Sequence, residues 1–229
     1  MKLSLTVKKM TTTEFNEIIN AHQEWLKGKG GGKCADLSGC EYFVGRYFGK
    51  FNLSGAILTN ANFNDCNLHD ADFSGCDLRG AGFRNAILVN ADFESANLFG
   101  SHLEGAQLRG IKVNYETQGY FPICPLEGSF IGYKKLSGYI VVLKIPADAQ
   151  RSSGTTFECR ADKALTLRIE NIDGTPADVS AVVSNYDKNF RYKVGETIKA
   201  KGYCQDRFAD GGGIHFFISR EMAVNYDFL

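Results

Sequence analysis

From Phe51 to Val113 the chain carries a large apolar residue at every fifth position: Leu53, Leu58, Phe63, Leu68, Phe73, Leu78, Phe83, Leu88, Phe93, Leu98, Leu103, Leu108 and Val113. Two residues before each centre stands, in most repeats, Ala, Cys or Ser, and after each centre come polar residues or Gly. A helix repeats every 3.6 residues and a strand every two, so neither produces a period of five. The stretch must therefore be a stacked repeat, each unit burying its large residue against its neighbours. Such an architecture presents a surface, and function is expected to lie in binding.

The motif resembles the pentapeptide-repeat family, whose pattern is A(D/N)LXX, most closely at Ala71-Asp72-Phe73-Ser74-Gly75 and Ala91-Asp92-Phe93. The resemblance implies a mainly β, right-handed quadrilateral solenoid with four pentapeptides per turn and the centres stacked in inward columns. On that geometry Phe63, Phe83 and Leu103 share one wall, and Leu53, Phe73, Phe93 and Val113 the opposite one. Large and small side chains then face each other in layers, as dense packing requires. Upstream, Cys34 to Gly39 begins the same pattern, with Leu37, Tyr42 and Tyr47 as expected centres and a one-residue slip before Leu53.

Ahead of the repeats, Thr11-Thr12-Thr13-Glu14 offers a capping box, and Phe15, Ile18, Ile19, His22 and Leu26 fall on one helical face before a stop at Gly28. An open solenoid end exposes apolar columns and free backbone edges. This helix, with Trp25, is expected to be the N-terminal cap, with His22 packed and chemically idle. Lys2 to Lys8 alternates in the manner of a strand. The lead-in from Glu17 to Gly39 also resembles that of many pentapeptide-repeat proteins. The expected division is 1–33 for strand and capping helix, 34–113 for the solenoid and 114–229 for a small β-rich α+β domain.

In that last region the strand signals are Phe130 to Tyr133, Tyr139 to Ile145, Ala164 to Ile169, Val179 to Val183, Tyr192 to Val194 and Ile214 to Ile218. Breakers such as Asp173-Gly174 and Gly211-Gly212-Gly213 separate them, and Ser219 to Tyr226 reads as a short helix. The segments Cys124 to Lys135, Arg151-Ser152-Ser153, Cys159-Arg160 with Lys163-Ala164, Tyr192 to Glu196 and Gly213 to Glu221 resemble an uncharacterised module that follows pentapeptide repeats in phage and related bacterial proteins. That resemblance implies an architecture and a phage-like context, and no reaction.

The formal charge is zero, from 26 basic and 26 acidic residues. A nucleic-acid binder working through a large positive field is thereby disfavoured. Neither a secretory signal nor a transmembrane run is evident, so a cytoplasmic location, the host cytoplasm for a phage-encoded protein, is expected. The seven cysteines are expected to be reduced thiols. Cys124, Cys159, Cys204 and His215 lack CxxC or HxxxH spacing, so no metal and no cofactor are expected. Between Cys34 and Val113 nine acidic residues face six basic ones. That is a weak imitation of a duplex carrying one charge per about 1.7 Å.

A binding site is expected in the C-terminal domain. Lys134, Lys135, Arg151, Arg160, Arg207 and His215 could converge on an anionic ligand, with Tyr133 or Tyr192 stacking on a base. No GxSxG, P-loop or HExxH signature is present. The reading is a non-enzymatic interaction protein, a phage-type inhibitor of host defence that captures a host protein or sequesters a small anionic signalling nucleotide. Two alternatives remain at this point: a nucleotide-processing enzyme built on Arg151, Arg160, Asp206 and His215, and a DNA-mimic inhibitor. Exposed Tyr115, Tyr120 and Phe121 would suit a homodimer contact.

Overall fold

The computed structural model describes residues 10–41, 43, 45–185, 187–209 and 212–226. The expected strand from Lys2 to Lys8 and the expected centre Tyr42 lie outside these residues. The chain divides into two compact units, with the boundary between Phe121 and Pro122.

In the first unit, α1 spans Thr12–Leu26. Its first turn is closed by the Thr11 hydroxyl accepting from the Glu14 amide at 3.2 Å while the Glu14 carboxylate accepts from the Thr11 amide at 2.8 Å. Lys27 ends the helix, and Gly28 follows in the left-handed region at φ +67°. Phe15, Ile19 and His22 form the buried stripe. The Phe15 ring lies 5.6 Å from Phe43, 5.8 Å from Phe48 and 6.0 Å from Phe51. His22 Nδ1 accepts from the Ala35 amide at 3.2 Å, its ring stacks on Trp25, and burial pushes its pKa down.

The repeats wind into a coil whose successive turns lie side by side through parallel bridges such as Asn52 with Asp72 and Asp72 with Asp92. The offset of twenty residues is four pentapeptides per turn. Leu53 N donates to Asp72 O at 2.9 Å and Asp72 N to Phe51 O at 2.8 Å, and the same pair of bonds recurs along the coil. The period of five has its cause in a turn at every corner. Cys66 N donates to Phe63 O, Ala71 N to Leu68 O and Cys76 N to Phe73 O, closing four-residue turns. The third residue of each, including Asp65, Asp70 and Gly75, has positive φ, as in a type II turn.

Eleven of the thirteen centres, Leu53 through Leu103, are buried, and Leu108 and Val113 are half-buried. Phe63 stacks on Phe83 at 5.1 Å and Phe73 on Phe93 at 5.2 Å. The two columns meet edge to face, at 5.6 Å for Phe63 with Phe73 and 5.9 Å for Phe83 with Phe93. Offset stacks and T-shaped pairs are the arrangements that aromatic quadrupoles favour. The small slot two residues earlier is sealed as well: the Cys66 thiol donates to Phe43 O and the Cys76 thiol to Leu53 O. Burial pushes the Cys76 thiol up to about 12.

Both ends depart from the expected register. Phe43 and Phe48 continue the spacing back from Leu53, and the expected centre Tyr47 does not: Phe43 is buried, Phe48 is half-buried, and Tyr47 is 65% exposed. The slip thus falls between Leu37 and Phe43, and the bridge from Asp36 to Ile57 spans one residue more than the bridges from Tyr47–Asn67 to Asp92–Lys112. A phenylalanine enters a dry column without stranding a hydroxyl, whereas Tyr47 stays outside against His69. Past Val113 the coil runs on with one residue inserted. Asn97 bridges Gln118, and Thr117 fills the small slot with its hydroxyl donating to Phe93 O at 3.0 Å.

The second unit is β-rich. A four-stranded antiparallel sheet has the order β1 (Phe130–Leu136), β2 (Tyr139–Ile145), β5 (Lys163–Asn171), β8 (Thr197–Lys199). A three-stranded sheet has the order β3 (Arg151–Ser153), β4 (Cys159–Ala161), β9 (Ile214–Phe216). β6 (Ala181–Val183) pairs with β7 (Arg191–Lys193), and α2 covers Arg220–Asn225. Ser137 and Gly138, both at positive φ, make the two-residue hairpin between β1 and β2. The two larger sheets are joined twice. Asp162 leads from β4 straight into β5, and Tyr133 and Phe217 exchange backbone bonds of 2.8 Å. β2 is buried on both faces. Val141, Leu143 and Ile145 enter the main core with Phe216 and Tyr192, while Ile140 packs with Phe217 and Ala223.

Candidate functional site

Gly132, Lys134 and Leu136 share the inward face of β1. At Gly132 a Cβ would stand 2.5 Å from the Phe216 ring, so only glycine lets β9 approach this closely. One step along, Lys134 is 8% exposed, and its ammonium donates to His215 O at 2.9 Å. Burying an ammonium is costly. That cost lowers the Lys134 pKa to about 8, opposed by the negative charge of Glu158. The His215 ring has its Nδ1 3.0 Å from Glu158 Oε2.

These groups line a cavity of about 480 Å³, with Ser184, Asp187, Phe190, Tyr192, Lys201 and Gly213 completing much of its wall. The volume falls within the range of about 300–1,000 Å³ usual for small-molecule sites. Phe190 and Tyr192 meet edge to face at 5.3 Å, and burial raises the Tyr192 phenol. The wall thus offers two lysines and a histidine beside two carboxylates and an aromatic pair.

Of the eight residues expected at the site, Lys134, Tyr192 and His215 share this cavity. Tyr133 packs with Ile140, Phe217 and Ala223. Lys135 donates to Val224 O and Tyr226 O, at the end of α2. Arg151 reaches Gly128 O at 2.6 Å and Ala147 O at 2.8 Å with its guanidinium over the Phe130 ring. Arg160, 7% exposed, holds the carbonyls of Asp206, Arg207 and Ala209. Arg207 donates to Ser153 O and Gly154 O. These cations fasten loops through carbonyls. Arg151, Arg160 and Asp206 are not among the residues lining the cavity beside His215.

Glu158, Ser184, Asp187, Phe190 and Lys201 were not expected at the site. They sit in connections or strand ends without periodicity, and the one usable signal was the alternation of Phe190 with Tyr192 leading into a strand. Cys124 and Cys159 are hydrogen-bonded thiols in the core, and both that neighbour and burial push Cys159 up. Among the described residues no three His, Cys, Asp or Glu side chains are grouped to hold a metal ion, and no helix is long and apolar enough to cross a membrane.

Comparison with known proteins agrees with this two-part layout. The chain is 39% identical over 69 residues to an uncharacterised protein of Acanthamoeba polyphaga mimivirus, a match covering 29% of this chain and 44% of that one. It thus spans less than half the length of that curated relative. Among solved structures, a pentapeptide repeat protein from the cyanobacterium Cyanothece is 31% identical, covering 37% of this chain and 60% of that chain, with a TM-score of 0.23. A pentapeptide repeat protein from Nostoc is 23% identical, covering 49% of this chain and 86% of that chain, with a TM-score of 0.30. Residues 48–119 match the family described as a pentapeptide repeat region, and residues 120–223 match a family of unknown function, DUF5758. The chain therefore carries a pentapeptide repeat region followed by a domain similar to the DUF5758 family.

Proposed function

We propose that this chain is a non-enzymatic binding protein whose C-terminal cavity captures a small anionic ligand with a planar ring, a nucleotide being the chemistry that fits best. The observation that carries this reading is the wall itself. Lys134, Lys201 and His215 supply positive or donating groups for a phosphate, Phe190 and Tyr192 supply an aromatic surface, and Asp187 with Glu158 can accept from amino or hydroxyl groups. A nucleotide presents all three chemistries. The coil, wound right-handed and capped by α1, then serves as the scaffold. In a virus-encoded setting, for which the mimivirus relative is the support, capture of this kind would withdraw a host's signalling nucleotide. The DNA-mimic reading draws little support from the coil's exterior, where Asp77 pairs with Arg79, Asp92 with Lys112 and Glu104 with Arg84.

Calorimetric titration with nucleoside monophosphates and cyclic dinucleotides tests the proposal. Binding of at least one, weakened tenfold or more by Lys201→Glu and by Phe190→Ala without product formation, is the expected result. Undiminished affinity in both variants, or steady turnover, overturns it. Self-association forms part of the same reading, because Tyr115 is 90% and Phe121 48% exposed. Light scattering should return twice the chain mass of 25.2 kDa; the single-chain mass would remove the dimer.

A further inference from the structure

Lys134 differs from the other partly buried cations of its unit. Arg160 spends its guanidinium on three carbonyls, Lys135 its ammonium on two, Lys163 pairs with Asp148, and Arg220 pairs with Glu170 and holds two carbonyls. Lys134, lining the cavity, has the His215 carbonyl as its one hydrogen-bond partner and makes no ion pair among the described residues. An ammonium has three N–H donors. A lysine that only filled space there would be outdone by leucine or methionine, neither of which strands donors.

We infer that the cavity holds a small carbonyl compound covalently, as an imine on Lys134, with the His215–Glu158 pair handling the protons. This rests on the reading of the cavity as a ligand site and narrows its ligand to an anionic aldehyde or ketone. The neutral Nζ adds its lone pair to the carbonyl carbon, the C–N bond forms, and the carbonyl π pair moves to oxygen. A proton leaves nitrogen and one reaches that oxygen, giving a carbinolamine. Protonation of the hydroxyl then expels water as the C=N bond forms, and the remaining N–H proton returns to the base that supplied the first. One aldehyde and one amine become one imine and one water, with nothing oxidised or reduced. Glu158 engages His215 Nδ1, which leaves Nε2 to deliver and receive protons. Burial that brings Lys134 to about 8 keeps a large share of the amine neutral near that pH, as nucleophilic lysines require.

Two probes of matched shape separate the imine from reversible binding in the full-length chain. Pyridoxal 5′-phosphate carries an aldehyde, a ring and a phosphate, and pyridoxine 5′-phosphate replaces the aldehyde with an alcohol. After borohydride reduction, peptide mass spectrometry should place one adduct on Lys134, reduced at least tenfold in Lys134→Arg. At saturating pyridoxal 5′-phosphate, His215→Ala should slow adduct formation about tenfold. Pyridoxine phosphate binding together with adducts scattered over exposed lysines such as Lys188 and Lys199 overturns the imine and leaves reversible binding standing. A Lys134 adduct without pyridoxine phosphate binding upholds the imine and overturns capture through the phosphate. Failure of both probes overturns both readings. Should Lys134→Arg not fold, the pH profile of labelling in the unaltered chain decides. A midpoint near 8 supports the imine, and one near the ordinary lysine value of about 10.4 overturns it.

Discussion

In the coil a residue's role follows from its position within five, whereas in the C-terminal unit the same residue type changes role with its distant partner. Phe63, Phe73, Phe83 and Phe93 are all buried because each is a centre, and Phe63 and Phe73 each stack on the ring twenty positions on. Lys134 and Lys135 are neighbours in sequence, yet one faces the cavity and the other holds the end of α2, since strand residues alternate faces. The coil is therefore specified locally and redundantly. The β-rich unit is specified by pairings far apart in the chain, and its cations acquire meaning only once loops have closed around them.

The sharpest way to break that contrast is to empty one layer of the coil. Phe73→Ala removes a ring stacked on Phe93 and edge-on to Phe63 and Phe83, and the expected loss is about 3–5 kcal/mol. Trp25, the single tryptophan, lies against Gly55 of the coil and reports its unfolding by fluorescence. A loss under about 1 kcal/mol would mean that layers do not depend on their centres.

Arg160→Ala tests the other half of the comparison. It strands the carbonyls of Asp206, Arg207 and Ala209 around a buried position, and should destabilise the C-terminal unit by about 2–4 kcal/mol. Hydrogen exchange on β4 and β9 would read that loss. Unchanged protection with weakened ligand binding would return Arg160 to the binding site. Arg79→Ala, on the exposed coil, should change nothing measurable, because its partner Asp77 sits in water beside it.

Legibility followed the same division. The period of five exposed the inward columns and even their opposing walls before any coordinates, because each centre is reinforced by a small residue before it and a turn residue after it. It faltered at Tyr47, where aromatic size alone could not tell which ring enters a dry column. In the C-terminal unit β2 was legible residue for residue as Tyr139–Ile145, being long and apolar. β3, β4 and β8 have three residues each, too few for alternation to show. The cationic residues were recognised by charge, but charge does not reveal whether a carbonyl or a ligand takes the proton donor. Only Lys134 and His215 among them line the cavity.

A smaller effect separates Lys134 from cations that are simply fastened. Its pKa is lowered from 10.5 to about 8, so the folded state carries the full burial penalty below about pH 8 and sheds it as pH rises toward 10.5. Stability should therefore increase across that window, by at most about 3 kcal/mol, relative to Lys134→Met. Denaturant unfolding at pH 7 and pH 10 measures the difference. A flat difference would show that the ammonium is as well solvated as an exposed one.

The smallest measurable effects concern a backbone feature that both units share. Gly75 in the coil, at φ +64°, and Gly138 in the β1–β2 hairpin, at φ +86°, both occupy conformations that side chains resist. Neither would clash: a Cβ on Gly75 comes no nearer than 3.9 Å to Gly55, and one on Gly138 meets nothing within 4 Å. Gly75→Ala and Gly138→Ala should then each cost about 1 kcal/mol, set by dihedral angle rather than by packing. Lys50 supplies the converse, being a non-glycine at φ +61° whose amide bond to His69 O would survive substitution. Lys50→Gly relieves that strain but gives the unfolded chain more freedom, so a net gain of no more than about 0.5 kcal/mol is expected. Thermal melts of the three variants decide the matter. Equal losses at Gly75 and Gly138 would confine the contrast between the units to side chains, whereas a much larger loss at Gly75 would show that the coil transmits a strained corner to its neighbours and the hairpin does not.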